Sequence, residues 1–166
     1  KITIFIMDTV SHAIWGKGLF GYRKFRGYSI LFGALPDLCS FGLYFLYNLT
    51  FNLSNFKFGK PPIETIPEWV ISFYNFSHSL VISIVIISLV YIFSKDFYFP
   101  MLAWPFHIIL DFFTHSIDYF PTPIFWPISA YGFNGIPWSN GYILFFNFLF
   151  LLFLFFYRKK QFFLRH

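Results

Sequence analysis

Apolar residues fall in five runs separated by short polar or basic stretches, at about 2–16, 28–49, 67–93, 97–119 and 139–157. About 20 residues of helix cross a bilayer core, so the last four runs are long enough and the first is marginal, a short or partly inserted helix. The pattern predicts an all-α fold, a polytopic membrane bundle of four to five helices forming one domain with a basic tail over 158–166. In the fourth run, polar positions return at helical spacing: His107, Asp111 and His115. Four residues advance a helix by roughly 400°, so these positions drift only about 40° per step and form one stripe. Asp8 and His12 repeat the spacing in the first run. Pro36, in Leu35-Pro36-Asp37, interrupts the second, removing a helix hydrogen bond and leaving Asp37 beside loosened backbone. Such backbone is tolerated at membrane depth where it is buried in protein or lines a cavity. The Phe-rich fifth run, Phe145 to Phe156, has no candidate ligand and reads as lipid-facing scaffold.

Composition strengthens the membrane reading. The chain is 57% hydrophobic, 27% aromatic and 11% charged, with a mean hydropathy of +0.62, against roughly 25% charged residues in a soluble domain. Its 29 Phe exceed what a water-soluble core of 166 residues can hide, so lipid must cover them. The 12 Lys and Arg outnumber the 7 Asp and Glu. They sit in blocks between apolar runs, where sorting of positive charge to the cytoplasmic side explains them without nucleic acid. Lys17, Arg23, Lys24, Arg26, Lys95, Arg158, Lys159, Lys160 and Arg165 fall on one side, and Lys1, Lys57 and Lys60 on the other. This puts the C-terminus in the cytoplasm, with loops 50–66 and 120–138 facing outward. The single cysteine, Cys39, reads as a small core residue. The first six residues have no signal-peptide cleavage site, and Met7 is a candidate native start. Loop 120–138 holds Pro121, Pro123, Pro127, Pro137, Trp126, Tyr131 and Trp138 and no charge, so it is either a lip over a site or an aromatic anchor at the headgroups.

Four histidines (His12, His78, His107, His115) and four aspartates (Asp8, Asp37, Asp111, Asp118) lie in or at the edge of apolar runs. Ionisable groups there are expensive, and a functional role is the default reading. Imidazole and carboxylate are ligands of zinc and similar divalent cations. Asp8 and His12 are a ligand with its orienting carboxylate, two ligands, or a helix-start acid and an interfacial histidine. His78 is either a ligand or a histidine bonded to a neighbouring helix. There is no His-Glu-x-x-His, nucleophile elbow, Walker loop or dinucleotide fingerprint. Haem held by two histidines competes, but it has no use for Asp37 or Asp111.

The order Met7-Asp-Thr-Val-Ser-His12-Ala, Gly33-Ala-Leu-Pro-Asp37, Phe76-Ser-His78-Ser and His107-Ile-Ile-Leu-Asp111-Phe-Phe-Thr-His115-Ser resembles the YdjM-like family of inner-membrane metal-dependent hydrolases, domain of unknown function 457. The stretch from Phe125-Trp-Pro-Ile-Ser to Phe133-Asn-Gly-Ile looks like a subfamily feature. That family is in turn similar to zinc-dependent phospholipase C and the P1-type nucleases, all-helical enzymes whose zinc cluster includes a His-x-x-x-Asp helix. The resemblance implies that His107 and Asp111 are ligands, with His12, Asp37 and His78 completing the set. The chain departs from those enzymes in having no second His-x-x-x-Glu helix, which implies one or two metals rather than three.

The expectation is a membrane-embedded hydrolase in which His12, Asp37, His78, His107, Asp111 and His115 hold one or two divalent ions, zinc or else manganese. Its substrate would be a phosphoester on a lipid or lipid-linked molecule arriving through the bilayer. Asp8 or Asp118 is expected as general base or as the carboxylate that orients a ligand, Asp118 because eleven residues after His107 it falls on nearly the same helical face. The alternative is a non-enzymatic metal-binding or metal-transport membrane protein with the same ligands.

Overall fold

A computed structural model describes residues 2–53 and 60–163, with side chains over 8–53 and 60–160. Lys1, Lys57, Arg165 and His166 lie outside the described residues. Every regular element among the described residues is helical: α1 (Ile2–Phe20), α2 (Tyr28–Asp37), α3 (Leu43–Phe51), α4 (Glu68–Ser77), α5 (Leu80–Phe93), α6 (Tyr98–Met101), α7 (Ala103–Thr114) and α8 (Gly141–Phe163), with a 3₁₀ turn at Ile63–Thr65.

Pro36 does not break the second run. The chain passes from α2 into α3 through five residues of π-helix, Leu38–Gly42. A π-bulge widens the helix where the proline cannot donate, and such bulges cluster at functional sites. The Pro36 carbonyl instead accepts from Ser40 Oγ (3.0 Å) and, across helices, from Ser77 Oγ (3.1 Å). Asp37 sits at the junction, buried. Cys39 lies in the π-helical stretch, partly exposed rather than in the core.

The third run bends. α4 and α5 meet at His78 and Ser79 with a 56° change of direction. Ser79 caps α5 by accepting from the Ile82 N–H. The freed Leu80 N–H reaches the Ile124 carbonyl at 3.0 Å, and Ser79 Oγ donates to the Trp126 carbonyl, so loop 120–138 fills the break.

The fourth run is not the single helix its apolarity predicts. It gives the one-turn α6 and the 12-residue α7, which at 1.5 Å per residue is about 18 Å long, too short to cross a bilayer core. α7 stops at Thr114 because the returning strand of loop 120–138 takes its last carbonyls. Gly135, Ile136 and Trp138 donate their N–H groups to the carbonyls of His115 (2.8 Å), Phe113 (3.0 Å) and Thr114 (3.2 Å). These are among the groups a helix end leaves without partners.

α1, α2 and α7 form the centre. Gly16 and Gly33 let α1 and α2 cross at backbone contact: a Cβ on Gly33 would lie 2.5 Å from the His12 carbonyl oxygen, and one on Gly16 2.3 Å from that of Ser29. Small residues at a helix crossing allow such an approach in membranes. α8 is fastened to α1 by Asn147, which accepts from Trp15 Nε1 (2.8 Å) and donates to Ser11 Oγ (3.0 Å). At one end Arg158 donates to the Gly18 and Leu19 carbonyls, and Lys24 pairs with Asp96, gathering basic turns.

The burial pattern is inverted relative to a soluble protein. His12, Asp37, His78, His107 and Asp111 are buried, while Phe93 is 87% exposed and Phe153 and Phe156 are each 70% exposed. Two helical stretches are long and apolar enough to cross a membrane, Tyr28–Phe51 and Gly141–Lys160, or three if the bent α4–α5 pair is one span. α1 has the length but carries Asp8, His12 and Lys17 along it.

Candidate metal centre

Six of the residues singled out by sequence converge with Asp8 between α1, α2, α4 and α7. Two groups form around a shared carboxylate. Asp37, His78, His107 and Asp111 each turn one ligand atom to a common point, and Asp8, His12 and Asp111 do so beside it. In the first group His107 Nε2 lies 2.9 Å from Asp111 Oδ2, 3.3 Å from His78 Nε2 and 3.7 Å from Asp37 Oδ1. His78 Nε2 is 3.3 Å from Asp111 Oδ2 and 3.6 Å from Asp37 Oδ1. Four ligands at the 2.0–2.1 Å bond lengths of tetrahedral zinc stand about 3.3 Å from one another. The observed edges straddle that value.

In the second group His12 Nε2 lies 2.9 Å from Asp8 Oδ1 and 2.9 Å from Asp111 Oδ1. His115 Nε2 borders it, 3.6 Å from Asp8 Oδ2 and 3.7 Å from Asp111 Oδ1. Asp111 thus turns one oxygen to each group. Both oxygens are buried and neither accepts a hydrogen bond, although imidazole nitrogens stand within 2.9 Å. The contacts on Asp111 converge without donor geometry, as ligands around a cation do, whereas His12 Nε2 and Asp8 Oδ1 stand in hydrogen-bond geometry.

The outer faces of the rings explain the orientation. His107 Nδ1–H donates to the Gly33 carbonyl at 2.7 Å, and His78 Nδ1–H is shared between the Tyr74 carbonyl (3.1 Å) and Ser77 Oγ (3.0 Å), whose own proton goes to the Pro36 and Tyr74 carbonyls. His115 Nδ1–H is held by Tyr74 Oη (3.0 Å) and the Phe120 carbonyl (3.2 Å). Carbonyls only accept, so the proton is placed on Nδ1 and the Nε2 lone pair faces inward, the outer-shell pattern of metal-bound histidine. Two neutral rings then present lone pairs to each other across 3.3 Å, which a cation between them relieves. Asp37 is held likewise: Thr9 Oγ1 donates to Oδ2 at 2.6 Å, leaving Oδ1 for the centre. With carboxylates in the same cage and nitrogens this close, no macrocycle fits between His78 and His107, which removes the haem reading.

The sequence reasoning missed Thr9, Gly33, Tyr74 and Ser77. Thr9 adjoins Asp8 and Tyr74 lies one turn before His78, the spacing at which an outer-shell partner is sought. Two expectations change. His115 is not on the helical stripe: it follows the end of α7 in extended conformation (φ −106°, ψ 138°) and reaches the centre from there. Asp118 is not on a helix either, so the shared-face argument for it as a base fails. It lies exposed in a turn and acts on Lys60, whose ammonium burial pushes below its ordinary value while Asp118 raises it. Lys60 in turn stands 3.7 Å over the Tyr119 ring.

Burial is uneven around the centre. The side chains of His12, His78, His107 and Asp111 are 0–1% exposed, whereas Asp8 is 14% and His115 17% exposed. The centre therefore opens on the Asp8 and His115 side. Fold and site together define an all-helical protein with helices fit to span a membrane and a buried aspartate–histidine group able to hold a metal ion. No protein family, curated protein or solved structure matches the chain.

Proposed function

We propose that the chain is an inner-membrane metal-dependent hydrolase of phosphoesters, with two divalent cations, zinc or else manganese, at adjacent positions sharing Asp111. Asp37, His78, His107 and Asp111 hold one; His12, Asp111 and His115 hold the other, with Asp8 beside them. The inward-facing Nε2 lone pairs of His78 and His107, fixed by protons committed to backbone carbonyls, carry this reading. The resemblance to the YdjM-like hydrolases points the same way.

A bound divalent cation supplies an electrophile for a phosphoryl oxygen and eases deprotonation of water. The chain's own groups do the rest. Asp8, the most accessible carboxylate of the set, is placed to take a proton from water at the open side. Asp111, His78 and His107 exclude solvent from the far side by burial. A substrate with acyl chains reaches this opening laterally, through the bilayer that covers the exposed phenylalanines. Four to five of the apolar segments lie in the membrane on this reading, and the gathered basic turns favour a cytoplasmic C-terminus.

The test is elemental analysis of detergent-purified protein beside His107→Ala and Asp111→Ala, followed by a phospholipid and lipid-phosphate hydrolysis screen. Metal present in wild type, absent from both variants, with turnover that follows it, supports the proposal; wild type without metal in chelator-free buffer overturns it. The bent α4–α5 pair favours one other reading, metal transport, because broken helices form ion sites in transporters. Zinc flux into proteoliposomes without any hydrolysis would select it.

A further inference from the structure

The two ligand groups are built differently. Asp37, His78, His107 and Asp111 give the inner one four ligands, with side chains 0–6% exposed. The outer one has His12, His115 and the shared Asp111, with Asp8 beside them. Four protein ligands close a zinc position, whereas three leave a place open. The open side is that of His115, whose side chain is 17% exposed. His115 follows the end of α7 in extended backbone, so helical spacing does not aim its ring.

Tertiary contacts aim it instead. The His115 carbonyl accepts from Gly135 N–H at 2.8 Å. A Cβ on Gly135 would lie 2.3 Å from the Phe113 carbonyl oxygen, so only glycine lets the returning strap lie so close. The ring is held by Tyr74, whose Oη stands 3.0 Å from His115 Nδ1 and 3.0 Å from the Phe120 carbonyl. A carbonyl only accepts, so the hydroxyl proton goes to Phe120 and the oxygen accepts from His115 Nδ1–H. Phe120 has φ 53°, in the left-handed region that residues other than glycine rarely adopt. Such a conformation persists where its surroundings over-determine it. Here it returns the Phe120 carbonyl to Tyr74 Oη and to within 3.2 Å of His115 Nδ1. The hydroxyl therefore holds His115 twice, directly and by pinning its second acceptor.

Tyr74 serves the inner group through different atoms. Its ring stacks on that of His78, with centroids 4.0 Å apart at 24°, and its carbonyl accepts from His78 Nδ1–H. Tyr74→Phe keeps both contacts and removes only the hydroxyl.

We propose that Tyr74 is the positioning residue of the outer metal position: its hydroxyl, bonded to the Phe120 carbonyl, aims His115, and it makes occupancy of the outer position separable from that of the inner one. This rests on the two-cation reading above. Full-length, detergent-purified protein stripped with a chelator is titrated with zinc by calorimetry, and bound zinc is counted by elemental analysis. Wild type is expected to take up two zinc ions per chain in two steps, the second weaker. In Tyr74→Phe the first step is expected to stay as in wild type and the second to weaken about 10–100-fold, the effect of losing an outer-shell partner. His115→Ala is expected to lose that same step, which assigns it to the outer position.

Tyr74→Phe with both steps at wild-type affinity overturns the inference alone. So do two steps weakened alike, the result of a role in the fold rather than in aiming one ligand, and a His115→Ala variant that keeps both steps. One zinc per wild-type chain overturns the two-cation reading and this inference with it, and wild type without zinc overturns the metal reading altogether. Should Tyr74→Phe fail to fold, ¹⁵N-histidine spectra of the zinc-loaded wild type decide. An imidazole N–H in contact with tyrosine ring protons, missing from His115→Ala, supports the inference; its absence overturns it.

Discussion

Replacing Gly33 with alanine tests the centre without touching a ligand. Gly33 lies on α2 where it crosses α1, and a Cβ there would stand 2.5 Å from the His12 carbonyl oxygen and 3.1 Å from its carbon. Ordinary contact begins at 3.4 Å, so the two backbones must separate by about 0.9 Å at the crossing. Backbone cannot swing aside as a side-chain end can. The same residue's carbonyl holds His107 Nδ1 at 2.7 Å, and Asp37 is one turn further along α2. Metal sites tolerate ligand errors of roughly 0.2 Å. The forced shift is several times that, and it parts His12 on one helix from Asp37 and the His107 anchor on the other. Overpacking alone costs about 1–3 kcal/mol, and loss of an outer-shell partner alone lowers metal affinity about 10–100-fold. We expect Gly33→Ala to raise the metal dissociation constant by about 100-fold or more. Chelator competition on detergent-purified protein gives the constant, and circular dichroism checks that helicity is retained. Gly42→Ala is the control, since its Cβ would meet Leu38 Cδ2 at 3.4 Å and the Asp37 carbonyl oxygen at 3.5 Å, both ordinary contacts that force no shift. If Gly33→Ala holds metal as tightly as wild type and Gly42→Ala, then the α1–α2 crossing does not set the ligand geometry and the reasoning is wrong.

Thr9→Val removes the 2.6 Å bond to Asp37 Oδ2 and should weaken metal binding about tenfold in the same competition, with the fold intact. Removing metal with a chelator should lower the thermal midpoint by on the order of 10 °C, since a ligand at 1,000 times its dissociation constant adds about 4 kcal/mol; an unchanged midpoint would show that the native protein does not hold the ion. Metal-dependent stabilisation should be full above about pH 7 and fall as the pH drops toward 5, because protons compete with the cation for imidazole nitrogen. Metal analysis after dialysis across that range checks the sign, and a loss on raising the pH instead would contradict imidazole ligation. Asn147→Leu breaks the bonds to Trp15 and Ser11 and should cost about 1–3 kcal/mol of α8 docking while leaving the metal in place, measured by proteolysis of α8 against metal content.

The sequence by itself determined the helical class, the membrane-compatible apolarity and the identity of the buried polar set. These were legible because they depend on residue type and local spacing: a 3.6-residue period puts His107 beside Asp111, and Asp8 beside His12, whatever the rest of the chain does. Tertiary structure decided the remainder. His115 was assigned to a helical face, but α7 ends at Thr114 because a strap more than 20 residues further along claims its last carbonyls, and no local pattern announces that competition. Asp118 lost its assigned face for the same reason. His78 looked like a lone histidine at the start of an apolar run. Only the bend between α4 and α5, completed by backbone bonds from loop 120–138, sets its Nε2 3.3 Å from that of His107. The division of Asp111 between two ligand groups and the Nδ1 anchors on Gly33 and Tyr74 arise where distant segments meet. Spacing along a chain fixes which side chains share a face. Contacts between faces depend on how closely backbones pack, and here Gly16, Gly33 and Gly135 set those approaches.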